Sequence, residues 1–371
     1  MGAPMSRPRL LRSVVATLLV ASSAAGCTAL LGLSEPSAAL SSDAAPFPDA
    51  HPADAAPDAF VADAAPSTEP DAAGNPVMPV VIGQPLIRGM AIDLNTVYWT
   101  TQDGPVMRVN KDGTGPNMLA GGPAVPEGNV LVFDSTVYWT AREPQVNFRA
   151  YRASIGGGGF FTRIVGASGS PYALLPAADG LLFVNGANLF HANLDGTGQA
   201  VLWPLSSAPY YLVRTATHVF WDDAETVGGK VKALALADGT ESLLASGLDQ
   251  PITMISDGTR AIWANYGQTD PAGGGVILEH TSSIMSARAG DTEPTVIVSG
   301  ETRIVAIAAD ESFVYWYSED HGGRVVRRAK DGTGPIEIVA RASGLVLFLA
   351  VDANFVYIAT PSTIGRAVKT P

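Results

Sequence analysis

A short aromatic strand recurs seven times along this chain, and that repetition limits the fold more than any other feature. The copies are Tyr98-Trp99-Thr100, Tyr138-Trp139-Thr140, Leu182-Phe183-Val184, Phe220-Trp221-Asp222, Ile262-Trp263-Ala264, Tyr315-Trp316-Tyr317 and Tyr357-Ile358-Ala359. From Trp99 onward the central positions are separated by 40, 44, 38, 42, 53 and 42 residues. Four-stranded propeller blades repeat at about this period, because one blade cannot bury its faces without neighbours. Five of the six tryptophans occupy the central position. A bulky ring once per unit is filler between adjacent sheets, so Trp99, Trp139, Phe183, Trp221, Trp263 and Trp316 read as structural and not as a cofactor-stacking set.

The turns between strands are also written in the sequence. Asp93, Asp134, Asp257, Asp310 and Asp352 stand five or six residues before the central position, each between two β-rich runs. That placement predicts strand, tight turn, strand, with the carboxylate accepting amides of its own turn. Downstream lie Asp112-Gly113-Thr114-Gly115, Asp195-Gly196-Thr197-Gly198, Asp238-Gly239-Thr240 and Asp331-Gly332-Thr333-Gly334. Asp-Gly between β-rich runs is a hairpin signal, since Gly supplies the positive φ. The last unit, Leu345 to Lys369, has room for about three strands, and a strand-like Val77-Met-Pro-Val-Val-Ile82 precedes the first. An all-β β-propeller of seven four-stranded blades over 77–371, closed by that N-terminal strand, resolves both observations. No segment sustains a helical period.

The unit of Tyr-Trp-Thr, an Arg-containing strand and Asp-Gly-Thr-Gly resembles the YWTD repeat of low-density-lipoprotein-receptor-type (class B) propellers and related repeats of secreted and lipid-anchored bacterial proteins. The resemblance covers 77–371 and implies the fold. Thr101 and Ala141 stand where the motif has its final Asp. YWTD propellers have six blades against the seven counted here, so the resemblance implies no partner.

Residues 1–27 have the layout of an export signal: Arg7, Arg9 and Arg12, an apolar run from Ser13 to Ala25, then Gly26 and Cys27. The run is shorter than the roughly 20 residues that cross a bilayer. Ala24-Ala25-Gly26-Cys27 resembles the bacterial lipobox, with Ala24 where that family usually has Leu. The resemblance implies lipidation of Cys27, the only cysteine, and Thr28 after it favours an outer-membrane lipoprotein, periplasmic or surface-exposed. An ordinary signal-peptidase site is the alternative. Residues 28–76 carry eight acids and neither Lys nor Arg, with frequent Ala and Pro, so they read as a disordered, self-repelling linker.

Of the net charge of −12, the signal contributes +3, the linker −8 and the repeat region −7. That balance argues against nucleic acid, whose phosphates demand a basic surface. The loops that follow each aromatic strand hold most of the remaining acidity, in Asp103, Asp222, Asp223, Glu225, Asp270, Glu319 and Asp320. Such a face would favour a cation or a basic protein surface. No metal site or cofactor is expected. Calcium is the one ion suggested, by Asn110-Lys111-Asp112-Gly113, but the Glu at the twelfth position of a calcium loop is missing. Glu279, His280, Asp320 and His321 are the only candidates for acid–base work, lying in loops of neighbouring units. The sequence thus leads to an envelope-anchored, monomeric binding or scaffold module for a protein or glycan. A lyase or hydrolase at the acidic mouth and an inert spacer are the alternatives.

Overall fold

The computed structural model describes residues 74–121, 125–142, 148–158, 162–166, 173–223, 228–270, 277–342 and 344–369. The signal segment with Cys27, nearly all of the linker, and Glu225 lie outside the described residues. The repeat region is a β-propeller of seven four-stranded antiparallel sheets. Blades 1 to 6 take consecutive strands from 87–120, 125–166, 174–204, 212–248, 251–301 and 307–341. Within each blade the strands are lettered A to D in chain order, and the A strands of neighbouring blades touch, so strand A is innermost.

Blade 7 is composite, as the sequence predicts. Its A, B and C strands are Phe348–Val351, Phe355–Ala359 and Ile364–Val368, and its D strand is Met78–Val81 from the other end of the region. Met78 lies opposite Arg366 and Val81 opposite Ile364. Gly365 is required there, because a Cβ would lie 2.3 Å from Val77 Cγ1.

The core consists of seven apolar clusters, one per seam between blades. The central residue of each following blade fills its seam, a tryptophan in five of them, Phe183 at the 2–3 seam and Ile358 at the 6–7 seam. Trp99 packs with Tyr357 and Ile364 between blades 7 and 1, and Trp316 packs with Ile262 and Ile297 between blades 5 and 6. Trp99, Trp221, Trp263 and Trp316 have no exposed surface, which is why the ring recurs once per unit. Phe183 does the same in blade 3 and stacks on Phe190 at 5.2 Å.

The A–B and C–D hairpins share one end of the ring, the turn face. The B–C loops and the D–A links between blades share the other, the connection face. On the turn face the expected chemistry is present. Asp93 Oδ1 accepts the amides of Asn95 and Thr96 at 2.8 Å, and Asp310 and Asp352 do likewise in blades 6 and 7. The second oxygen has a use the sequence reading lacked. It accepts the hydroxyl of the tyrosine five residues on, Tyr98, Tyr315 or Tyr357, at 2.7–2.9 Å.

Candidate functional site

The seam between blades 5 and 6 gathers the candidate side chains on the connection face. His280 ends the long B–C loop of blade 5, Asp320 and His321 lie in the B–C loop of blade 6, and Glu301 and Thr302 form the link between the two blades. The three segments meet because each B–C loop leaves its sheet beside the link to the next blade. His280 Nδ1 is 3.3 Å from Asp320 Oδ1 and 3.2 Å from the Gly300 carbonyl. Both neighbours are acceptors, so Nδ1 carries a proton. The imidazole is 63% exposed.

A short hydrogen-bond chain holds this arrangement. Thr302 Oγ1 accepts the His280 amide at 3.0 Å and donates to Asp320 Oδ1 at 2.8 Å, while the Thr302 amide donates to Asp320 Oδ2 at 2.5 Å. His280 itself is in the left-handed region at φ +57°. A non-glycine residue is kept there only where its surroundings over-determine it, and the Thr302 and Asp320 bonds supply that constraint.

Beneath lies Glu301, whose side chain is 5% exposed. Its Oε2 accepts Trp316 Nε1 at 3.1 Å and Ser318 Oγ at 2.6 Å, and its Oε1 lies 3.3 Å from His321 Nε2. That His321 nitrogen is buried and off the line of a hydrogen bond, so the contact is one of proximity alone.

Other predicted loop acids have different fates. Asp103, Glu279 and Glu319 are exposed, and Asp270 is half-buried. Asp223 pairs with Lys232 at 3.1 Å. Asp222 does not belong to the solvent-facing set. It is 1% exposed, and its Oδ1 accepts the Tyr211 and Tyr210 amides at 2.6 and 3.2 Å. Burial pushes its carboxyl up to about 7 against the downward pull of those amides, and Oδ2 is buried without a hydrogen-bond partner.

Glu301 and Thr302 were invisible to a search for loop charges and histidine neighbours. A signal for Glu301 existed nonetheless. Glu301 stands 15 residues before Trp316, Gln84 stands 15 before Trp99 and Ser207 stands 14 before Trp221, and all three side chains accept the indole N–H. In blade 5 the corresponding position is Leu248, and Trp263 Nε1 is buried with no partner. Among the described residues no group of three or more His, Cys, Asp or Glu is placed to hold a metal ion.

No family model matches the chain, and no curated protein matches it. Solved structures do resemble it in fold. Virginiamycin B lyase from Staphylococcus aureus superposes with a TM-score of 0.59 at 12% identity, covering 79% of this chain and 98% of that one. The WD40 propeller domain of Doa1 gives 0.57 at 10% identity, covering 80% and 98%. YCF48 bound to D1 peptide gives 0.57 at 12% identity, covering 81% and 99%. At these identities the likeness is one of architecture.

Proposed function

We propose that this chain is a binding or scaffold module held at a cell envelope through Cys27, which takes a protein partner with a basic surface on its connection face at the blade 5–6 seam. The observation that carries the reading is the exposed His280 ring, fixed in a left-handed turn by Thr302 and Asp320. Exposed Glu279 and Glu319 lie in the same two loops. A contact residue held in place before binding loses little entropy on docking. Binding is favoured over catalysis because the acids beside it are committed: both Asp320 oxygens to Thr302, and Glu301 to Trp316 and Ser318. The likeness to YCF48, which has been solved bound to D1 peptide, is compatible with this reading, and propellers carry many unrelated functions.

The test is titration of a Lys/Arg-rich peptide against the full chain at low and high salt, beside the variants His280→Ala and Glu279→Gln/Glu319→Gln. The reading expects saturable binding that salt weakens and that both variants reduce about tenfold or more. No binding by the parent chain would remove the basic-partner reading. Binding to a panel of glycans in its place would transfer the site to a sugar. The anchor is tested separately, by the mass of a lipid adduct on Cys27 and its loss in Cys27→Ser.

A second reading, a lyase or hydrolase, rests on the His280–Asp320 pair, an exposed imidazole set against a carboxylate as acid–base work requires. One ring of similar fold is named a lyase. This reading expects His280→Gln to abolish turnover while leaving binding intact.

A further inference from the structure

The seams of this propeller fall into two kinds on the turn face. The residue just after strand C occupies one structural position in blades 1, 2, 4, 6 and 7, where the amides of Lys111, Ile155, Leu236, Lys330 and Lys369 donate to a carbonyl of their own A–B turn. Three of these are lysines, and each reaches the A–B aspartate of the preceding blade. Lys330 Nζ is 2.7 Å from Asp257, Lys369 Nζ 2.6 Å from Asp310, and Lys111 Nζ 2.6 Å from Asp352. The lysine side chains are 11–13% exposed. At the seams 1–2 and 3–4 the residue is Ile155 or Leu236, and at the seam 2–3 Leu194, two residues past strand C of blade 3, packs against the apolar cluster in the same way. At the seam 4–5 Ala289 packs there, and the A–B turn of blade 4 has Thr215 in place of Asp.

The paired seams 5–6, 6–7 and 7–1 are consecutive, and two of them flank blade 7. That blade alone depends on a strand distant in sequence, so its fourth strand is held by no short covalent hairpin. Closing so long a loop costs chain entropy that the other blades do not bear. Further bonds converge on it. The Asn75 amide donates to the Val339 carbonyl of blade 6 at 2.9 Å, and Asn75 Nδ2 donates to the Val368 carbonyl of blade 7 at 3.0 Å. Arg327 of blade 6, paired with Glu337, donates to the Lys369 carbonyl at 2.8 Å, a bond that Arg108 to the Ile155 carbonyl and Arg152 to the Leu194 carbonyl repeat at the seams 1–2 and 2–3 and that is therefore common to both kinds of seam. The Tyr315 and Tyr357 hydroxyls share the aspartates with the lysines.

We propose that the Lys369–Asp310 and Lys111–Asp352 pairs form an ionic clasp that retains the composite blade, so that the ring opens first at its apolar-plugged seams and not at its point of closure. The seams 1–2 to 4–5, which have apolar plugs, all lie between blades whose strands are joined by hairpins, and the 5–6 seam carries its pair in addition to such hairpins. The clasp supplies, at blade 7, the retention that covalent continuity supplies elsewhere.

The test is amide hydrogen exchange read by peptide on the full chain, with and without Lys111→Leu/Lys369→Leu, which copies the plugged seams. The expected result is exchange at least tenfold faster in 78–81 and 348–368, with 174–204 unchanged. Unchanged exchange in blade 7, or equal acceleration in every blade, would overturn the proposal. Removing the lysines alone leaves two part-buried carboxylates without a counter-charge, so a second variant adds Asp310→Thr/Asp352→Thr, after the 4–5 seam. This neutral version is expected to fold and still exchange faster in blade 7. Full return of parental protection there would assign the loss to stranded carboxylates and sink the clasp.

Discussion

The Trp316 indole donates to Glu301 across 3.1 Å, and the same carboxylate oxygen accepts Ser318 Oγ at 2.6 Å. A seam-filling ring is thereby tied to the link that carries the chain from one blade to the next. The tie anchors the connection face of the 5–6 seam to the core.

Glu301→Leu removes both acceptors from a buried site and is expected to cost about 2–5 kcal/mol, the range for stranding buried polar groups and breaking a buried charged contact. Glu301→Gln keeps one acceptor oxygen for the indole and is expected to cost less than half as much. Urea unfolding of the two variants against the parent chain measures the difference.

Gly180 has φ +135°, and a Cβ there would lie 2.2 Å from the Ala192 carbonyl. Gly180→Ala therefore forces strands B and C of blade 3 apart and is expected to destabilise by about 2 kcal/mol or more, combining strain with overpacking. Gly186 has φ +59° and nothing within 4 Å of its Cβ position, so Gly186→Ala should cost only about 1 kcal/mol. Thermal melts of the pair separate the steric component from the backbone component.

Acid should loosen the turn face. Burial pushes the Asp310 and Asp352 carboxyls up, but the bonds from Lys369 and Lys111, the turn amides and the tyrosine hydroxyls outweigh it and hold both at about 2, below the ordinary 3.8. A depressed carboxyl stabilises the fold above its unfolded value, and that contribution is lost as pH falls from about 4 to about 2. Stability measured across that window should drop in the parent and drop less in Asp310→Asn/Asp352→Asn.

Asp222 runs in the opposite sense. Its carboxyl is raised to about 7, so its contribution is full below about 4 and is lost as pH rises through 7. Asp222→Asn retains an oxygen for the Tyr210 and Tyr211 amides and carries no charge to bury. The variant is expected to gain stability over the parent at pH 8 and to lose that advantage at pH 4, as read by denaturant midpoints at the two pH values.

The repeat, the turns and the ring closure were legible in the sequence because each rests on local rules. Strand alternation, Asp-Gly turns and one large ring per unit all act within a few residues of themselves. Even the composite blade was legible, since a unit one strand short and a spare strand at the other end have one economical solution. The loop charges were not legible in the same way. Asp222 and Asp223 are neighbours in the chain, yet one is buried under two tyrosine amides and the other meets Lys232.

What the sequence determined by itself is an all-β ring of seven units and the position of the rings that fill it. What only the tertiary structure decided is which side chains meet across the seams: His280 with Asp320, Glu301 with His321, and Lys111 with Asp352, 241 residues apart. The reason is geometric. A blade's own contacts repeat with the chain, whereas a seam joins residues half a blade to one blade length apart or, at the closure, from opposite ends of the ring. Their pairing depends on how neighbouring sheets are turned against each other, which no local pattern encodes.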